Sequence, residues 1–257
     1  MDDHSMKTQP GPRGRLAPPN ARLGLLIPSS NRLSEPQFIH FTPSDLAVHV
    51  MRIRMSHKWK KPPSEIMGDI EHAAEVLSDS QPNLIVFHCT GASMEEGPEG
   101  DRRVIEAIQK RTKVETISTA GAITKALRAS GIKRMLLISP YVQATNDHEV
   151  AYLRALGFEV PRDIALDVGG SDEYIKVTPE RWIDVAIKND SRDIDGVFLS
   201  CTNTMQIEAI PAIEAALGKP VINSNQAVIW ASLARLREKL APLPAMEALG
   251  SLMRRSP

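Results

Sequence analysis

The chain has 257 residues, of which 42% are hydrophobic and 4% aromatic, and its 31 basic and 31 acidic side chains leave a formal net charge of zero. This is the composition of an ordinary globular protein, and the length allows one large domain or two smaller ones. The charge balance argues against a nucleic-acid partner, because phosphate recognition usually leaves a basic surplus. No apolar run approaches the roughly 18 residues of a membrane span, so we expect no membrane partner.

The chain starts with a polar terminus, residues 1–20, which is rich in Pro, Gly and charge and lacks the apolar core of a signal peptide. We expect this segment to be a disordered tail and the protein to be cytoplasmic. The two cysteines, Cys89 and Cys201, are too few for a disulfide framework and match no zinc-binding spacing. The sequence therefore predicts no metal site and leaves both thiols available for another role.

Predicted strands and helices alternate along the rest of the chain. Short apolar runs bounded by Pro, Gly, Ser or Thr predict buried parallel strands at 22–27, 48–53, 84–88, 114–117, 134–138, 158–160, 196–200 and 220–222. Helical patterns lie at 64–79, 100–111, 119–130, 144–156, 179–189, 205–217 and 225–239. This alternation predicts an α/β fold, in which parallel sheets carry helices on both faces.

Two segments of the chain recur at one spacing. Residues 22–28 (RLGLLIP) resemble 134–140 (RMLLISP), and residues 84–90 (LIVFHCT) resemble 196–202 (GVFLSCT), each pair being 112 residues apart. Duplication explains a shared offset better than coincidence, since the matches include Pro and Cys-Thr as well as apolar residues. We therefore predict two similar Rossmann-like half-domains related by a pseudo-twofold duplication, with the active site in the cleft between them. The predicted first half is 21–118 plus 219–257, and the second is 119–218.

Small polar segments follow four of the predicted strands, at 28–31, 88–93, 139–141 and 200–203. Such segments offer backbone N–H groups and hydroxyls to a carboxylate or a developing oxyanion. Because strand C-termini meet at one edge of a parallel sheet, we expect Cys89 and Cys201 on opposite walls of the cleft. A lone cysteine is usually a small buried hydrophobe, but two Cys-Thr pairs at one repeat spacing favour a function. The helix dipole at each position is expected to lower the thiol pKa.

Other motifs leave alternatives open. The chain lacks the glycine-rich dinucleotide and phosphate loops, the zinc-protease motif and the serine-hydrolase elbow. His88 is expected to pack behind the site, since neighbouring strand residues point to opposite faces. The basic residues of 57–61 either bind an anion or form a solvated loop. Residues 94–101 either cover the cleft as a lid or form an ordinary surface loop.

Taken together, the strand-end motifs resemble a known family. They are Pro28-Ser-Ser-Asn31 with Glu35, Cys89-Thr-Gly, Pro140-Tyr141 with Asn146, Ser200-Cys-Thr, and residues 219–227 with Trp230. The chain from Arg22 to Leu240 resembles the maleate cis–trans isomerase group, which belongs with arylmalonate decarboxylases and the aspartate/glutamate racemase superfamily. The resemblance implies two similar α/β halves with the active site between them and no cofactor. It also implies a homodimer or higher homo-oligomer that acts on a small carboxylate or dicarboxylate.

Carried over to this sequence, the family pattern implies that Cys89 is the nucleophile and Cys201 the opposing acid/base thiol. The substrate-binding residues it implies are Ser29, Asn31, Thr90, Gly91, Tyr141, Thr202 and Asn203. The Cys89 thiolate would add to the double bond of a cis-enedioate, and the adduct would rotate about the resulting single bond. Loss of the thiolate would then give the trans product. The resemblance thus predicts cofactor-independent cis–trans isomerisation.

The stretch 169–174 (GGSDEY) departs from the family pattern, because maleate isomerases tend to carry an Asn there that grips the second carboxylate. Asp172 and Glu173 would repel that carboxylate, which favours a substrate bearing an amine or amide over maleate itself. Three alternatives to isomerisation stay open: a two-thiol amino-acid racemase, an arylmalonate-type decarboxylase, and a ligand-binding protein without catalysis. Decarboxylases of this kind typically keep only the second cysteine, so the presence of Cys89 argues against that alternative.

Overall fold

The computed structural model describes residues 18–55, 60–242 and 246–256. Most of the predicted N-terminal tail, residues 1–17, lies outside the described residues. The end of that segment is anchored, because the backbone N–H of Asn20 donates to the Asp45 carbonyl oxygen at 2.9 Å and its side-chain amide donates to the Asp45 carboxylate at 3.0 Å. The predicted tail boundary at residue 20 is therefore wrong, because Asn20 is already part of the fold.

The strands in the described ranges form two parallel four-stranded sheets. The first contains β1 (Ala21–Pro28), β2 (Leu46–Ile53), β3 (Leu84–Phe87) and β4 (Thr116–Ser118) in the order β2-β1-β3-β4. The second contains β5 (Arg134–Ser139), β6 (Glu159–Ala165), β7 (Gly196–Leu199) and β8 (Val221–Asn223) in the order β6-β5-β7-β8. All eight predicted strands are present, and the predicted α/β fold with two similar halves is confirmed.

The duplication extends to individual hydrogen bonds. The backbone N–H of His88, which precedes the first cysteine, donates to the Leu26 carbonyl oxygen at 2.8 Å. The backbone N–H of Ser200, which precedes the second cysteine, donates to the Ile138 carbonyl oxygen at the same 2.8 Å. Both donors and both acceptors are related by the offset of the sequence repeat. Cys89 and Cys201 therefore occupy equivalent positions, each one residue beyond the last hydrogen bond of its strand.

Helices connect the strands. They are α1 (Ser34–Phe41), α2 (Met67–Ser78), α3 (Thr90–Glu95), α4 (Gly97–Thr112), α5 (Thr119–Ala129), α6 (Gln143–Ala155), α7 (Ser171–Tyr174), α8 (Pro179–Asn189), α9 (Ile210–Leu217) and α10 (Ser224–Leu236). The sequence pattern missed α1, α3 and α7, which have too few turns to show a 3.6-residue period. Ser118 opens α5 as an N-cap, and Asn223 with Gln226 forms a capping box at α10. Within the described ranges, none of the helices is both long and apolar enough to cross a bilayer.

Strand β8 corrects the predicted division of the chain. The prediction assigned the whole segment 219–257 to the first half. Because β8 pairs in parallel with β7, part of this segment belongs to the second half instead. The physical reason is that β8 supplies to the second sheet the edge strand that β4 supplies to the first. The buried helix α10 that follows it packs against α5 and α1. One hydrophobic core therefore runs through both halves and includes side chains from β1 and from β5.

Candidate active site

The C-terminal ends of strands from both sheets surround a cavity of about 330 Å³. Its walls combine both thiols with small polar residues from the strand ends. The residues of this kind are Ser30, Asn31, Cys89, Gly91, Gly170, Ser171, Cys201, Thr202 and Asn203. Both cysteines are free. The structure thus brings together the two thiols that the repeat spacing singles out.

Cys89 stands at the N-terminus of α3, directly after the buried strand β3 and His88. The backbone N–H of Ala92 donates a hydrogen bond to its sulfur. The helix turns one face to the cavity, formed by Gly91, Ala92 and Glu95, because residues three and four positions apart lie above one another. Burial is the largest influence on the thiol and raises the pKa of Cys89 to about 11.

Cys201 leaves β7 with a φ of 119°, a backbone conformation that residues other than glycine rarely adopt. Its sulfur accepts a hydrogen bond from the backbone N–H of Asn203 at 3.3 Å and another from the Tyr141 hydroxyl. Its own backbone N–H donates to the Ser224 hydroxyl oxygen at 3.2 Å. These contacts hold the strained residue in place. Burial raises the pKa of the Cys201 thiol to about 12.

The two raised pKa values correct the expected effect of the helix dipoles. Backbone N–H groups do reach both sulfurs, as the sequence position predicts. Removing a thiolate from water nevertheless costs more than those hydrogen bonds return. The prediction of lowered thiol pKa values is therefore wrong, and both thiols are protonated in the free protein near neutral pH.

A buried amide network ties the two halves together beside the cavity. The carbonyl oxygen of Thr202 accepts three hydrogen bonds, from the Asn31 amide at 3.2 Å, the Asn225 amide at 3.1 Å and the Ser34 hydroxyl at 2.9 Å. Asn31 and Ser34 come from the first half, whereas Thr202 follows the third strand of the second sheet. The network therefore joins the segment that follows β1 to the strand end that carries Cys201.

His88 lies behind the site, as predicted. Its buried ring nitrogens lie 2.9 Å from the Thr119 hydroxyl and 2.9 Å from the Asn225 side-chain oxygen. Burial lowers the pKa of this imidazole to about 4, so the ring is neutral under ordinary conditions. Its hydrogen bonds are all directed into the protein, and its place in the fold is structural.

Five of the seven predicted substrate-binding residues line the cavity: Asn31, Gly91, Tyr141, Thr202 and Asn203. Thr90 does not, because it is buried and its hydroxyl donates to the Ser224 hydroxyl oxygen at 2.9 Å. Ser29 does not either, since its side chain is exposed and its backbone N–H is used by the Ile53 carbonyl oxygen at 2.8 Å. The neighbouring Ser30 faces the cavity in its place.

Asp172 and Glu173 do not act on the cavity in the predicted way. Asp172 forms an ion pair with Arg32, and Glu173 forms one with Lys176 at 2.7 Å. Both carboxylates are exposed, and the short helix α7 presents Ser171 to the cavity rather than either acid. The ground for doubting maleate that rested on these two charges is therefore removed, because both charges are paired and neither side chain lines the cavity.

The basic run at 57–61 reaches the cavity in part. Lys60 and Lys61 line it, whereas His57 and Lys58 lie outside the described residues. The Lys60 ammonium is 3.6 Å from the carboxylate of Glu95, at the end of α3. From the sequence a solvated loop was the commoner expectation and anion binding the alternative, and the position of Lys60 and Lys61 in the cavity wall favours anion binding.

Residues 94–101 form neither a lid nor a surface loop. They contain the end of α3 and the start of α4, and both Met94 and Asp101 are buried. A lid would need an exposed segment with few fixed contacts. The Asp101 carboxylate instead accepts a hydrogen bond from the Ser118 hydroxyl at 2.7 Å.

Sequence reasoning missed two groups near the thiols. Glu149 is fully buried on α6, accepts a hydrogen bond from the Ser200 hydroxyl at 2.8 Å, and has its pKa raised by burial to about 8. The sequence feature that could have revealed Glu149 is its position as an acidic residue on the apolar face of the helix predicted at 144–156. Tyr174 lines the cavity and packs edge-on against Tyr141, with ring centroids 5.6 Å apart. In the described ranges, no cluster of three or more His, Cys, Asp or Glu side chains is placed to hold a metal ion.

Comparison with known proteins agrees with this geometry. A sequence profile of the arylmalonate decarboxylase family matches residues 14–247, which is most of the chain. The chain therefore belongs to the arylmalonate decarboxylase family. Arylmalonate decarboxylase itself has the same fold, with a TM-score of 0.77 at 20% identity over 91% of this chain and 99% of the other.

Several relatives are named as isomerases. The maleate isomerase of Geobacillus stearothermophilus is 27% identical over 85% of this chain and 92% of its own length. The structure of the maleate isomerase from Pseudomonas putida S16 with maleate has a TM-score of 0.82 at 27% identity, covering 91% of this chain and 97% of the other. A Nocardia farcinica maleate cis–trans isomerase variant with a covalently bound succinylcysteine intermediate has a TM-score of 0.77 at 26% identity, covering 84% and 93%. These relatives support a cysteine-based cis–trans isomerase.

Proposed function

We propose that the chain is a cofactor-independent isomerase that converts maleate into fumarate. The observation that carries the proposal is the pair of free thiols, Cys89 and Cys201, at duplicated strand ends in the walls of one cavity. The relatives named as maleate isomerases and the succinylcysteine of the Nocardia enzyme support a covalent thioether route. With Asp172 and Glu173 paired outside the cavity, no acidic charge of α7 opposes a dicarboxylate.

In the proposed reaction the Cys89 sulfur forms a bond to one alkene carbon, and the π electron pair moves to the neighbouring carbon and its carboxylate. Cys201 acts as the acid/base thiol and delivers a proton to that carbon, and the proton that left Cys89 replaces it on Cys201. The former double bond is now single and rotates. Cys201 then removes the proton from that carbon, the electron pair of the C–H bond restores the double bond in the trans geometry, and the sulfur leaves with the electron pair of the C–S bond. The proton that Cys201 held returns to Cys89. No electron or proton is gained or lost over the cycle.

The surrounding donors suit the charge that develops on the substrate. The Tyr141 hydroxyl and the Asn203 amide lie in the cavity wall and stabilise carboxylate oxygens in the adduct, whereas the amide hydrogens of Asn31 are already donated to Ser34 and Thr202. In the free protein the single hydroxyl hydrogen of Tyr141 is donated to the Cys201 sulfur, and it turns from that sulfur to a carboxylate oxygen when substrate is bound. These residues bind the substrate and hold the acid/base group at the reacting carbon.

The test is proton NMR of the purified protein in D₂O with maleate, in which the fumarate signal should appear. Cys89→Ala and Cys201→Ala should each lower turnover by about a thousand-fold or more. Glu173→Gln is the matched control, since this exposed carboxylate lies outside the cavity, and it should leave turnover unchanged. Full turnover in both cysteine variants would refute the proposal.

Parallel samples separate the alternatives. Cα exchange in D- or L-aspartate would indicate a racemase, and carbon dioxide release from phenylmalonate that needs Cys201 but not Cys89 would indicate a decarboxylase. The predicted homo-oligomer and the predicted cytoplasmic location rest on the family resemblance and the polar N-terminus. Light scattering after size-exclusion chromatography tests the first, and cell fractionation tests the second.

A further inference from the structure

The charges in the cavity wall are unevenly distributed. The strand-end residues of the wall are small and neutral, whereas the described lining residues that carry a positive charge are Lys60 and Lys61, from the segment between β2 and α2. Glu95 is the acidic residue of the same wall. Among the described lining residues, Lys60 and Lys61 are therefore the ones that can pair a substrate carboxylate with a full positive charge.

The helix α3 links these charges to the nucleophile. Cys89 precedes its first residue and Glu95 is its last, which corresponds to about 9 Å along the helix axis. Gly91 and Ala92 lie between them on the same face and leave the path along the helix open. A four-carbon substrate bonded to Cys89 can extend along this face toward Lys60, whose side chain is long enough to meet it.

The Lys60 ammonium is attracted to a carboxylate but is not saturated by it. Its nitrogen lies 3.6 Å from Glu95, which is longer than a normal hydrogen bond. An ammonium has three donor hydrogens, so it can contact Glu95 and a second carboxylate together. The second Glu95 oxygen is buried and has no hydrogen-bond partner, so Glu95 keeps an acceptor with which to hold the Lys60 ammonium.

Other cations near the strand ends are already committed. Arg32 pairs with Asp172 and donates to the Ser171 carbonyl oxygen at 3.2 Å. Arg52 pairs with Glu35 at 3.0 Å and also donates to a backbone carbonyl of the first strand-end segment. Neither of them lines the cavity. Lys60 is therefore better placed than either arginine to receive a substrate charge.

We infer that Lys60 binds the distal carboxylate of a dicarboxylate substrate, the carboxylate farther from the carbon bonded to Cys89, and that Glu95 holds the Lys60 ammonium at the cavity wall. This inference rests on the proposed isomerase function, and it assigns to Lys60 the recognition that family members obtain from an Asn in the stretch equivalent to 169–174. The substrate class follows from it: both ends must be anionic, and a half-amide loses this contact. Lys60 is a specificity-determining residue and takes no part in bond making.

Binding is measured by calorimetry in the Cys89→Ser background, in which no turnover occurs, with maleate and its half-amide maleamate as probes. Adding Lys60→Gln should weaken maleate binding by about 10-fold, the value of one partly exposed charged contact, and maleamate binding by less than about 2-fold. Lys188→Gln is the matched control, because Lys188 is an exposed lysine that also pairs with a carboxylate, Asp184. It should change neither affinity.

Kinetics in the otherwise unchanged enzyme supply the second readout. Lys60→Gln should raise the KM for maleate by about 10-fold and change kcat by less than about 3-fold. Equal losses for maleate and maleamate, or an unchanged KM in Lys60→Gln, would overturn the inference while maleate turnover still upheld the proposed function. Absence of fumarate from the unaltered enzyme would instead overturn the proposed function, and the binding experiment would still decide the role of Lys60.

Discussion

The raised pKa of Cys89 leads to a quantitative prediction about its reactivity. Burial raises the pKa of this thiol from its ordinary value of 9.0 to about 11. Two pKa units correspond to about 2.7 kcal/mol, or a thiolate fraction about 100-fold smaller at any pH well below 9. Because the thiolate is the reactive form, alkylation of Cys89 in the folded protein should be slower than that of an ordinary cysteine by about the same factor.

The assay is iodoacetamide labelling of the Cys201→Ala variant, followed by intact-mass spectrometry between pH 7 and about pH 10.5. The logarithm of the rate should rise by about one per pH unit over the whole range, without a plateau below about pH 10. The same variant unfolded in urea serves as the reference and should level off near the ordinary cysteine pKa. A plateau below about pH 8 in the folded protein would show that the helix N-terminus outweighs burial and would refute the reasoning.

Two further predictions concern stability. Cys201 has a φ of 119°, so Cys201→Gly should be more stable than Cys201→Ala by about 1 kcal/mol, because only glycine relieves the backbone strain. Urea unfolding of the two variants measures this difference, and equal unfolding midpoints would contradict it. Burial raises the pKa of Asp101 from 3.8 to about 7, so the folded protein keeps a proton that the unfolded chain releases, and stability falls as pH rises through that window. Asp101→Asn cannot ionise, so between about pH 4 and pH 7 its stability relative to the unaltered protein should improve by about 3 kcal/mol. Parallel curves of unfolding free energy against pH would rule this account out.

The strand ends illustrate what local sequence carries. Buried parallel strands appear as short apolar runs, and the 112-residue repeat relates Cys89 to Cys201 without reference to any contact. The short helices were not visible in the same way. The six residues of α3 and the four of α7 contain too little of a helical period. The stretch at 94–101, expected to be a lid or a loop, is made of the end of α3 and the start of α4.

Neighbouring residues at a strand end could not be distinguished by sequence. Ser29 and Ser30 are chemically identical, yet only Ser30 faces the cavity, because the backbone N–H of Ser29 continues the pairing with β2. The charges of Asp172 and Glu173 were visible in the sequence, but their partners were not. Arg32 lies 140 residues from Asp172 along the chain, so the ion pair that compensates this acid exists only in the folded protein.

The sequence alone therefore determined the α/β class, the duplication and the pair of thiols, because each depends on local pattern or on fixed spacing. Only the tertiary structure decided which side chains line the cavity, that Lys60 is among them, and that both thiols have raised pKa values. These properties depend on water exclusion and on contacts such as that between Asn31 and Thr202, which are 171 residues apart. Desolvation and long-range pairing arise from packing, and they have no counterpart in any short stretch of sequence.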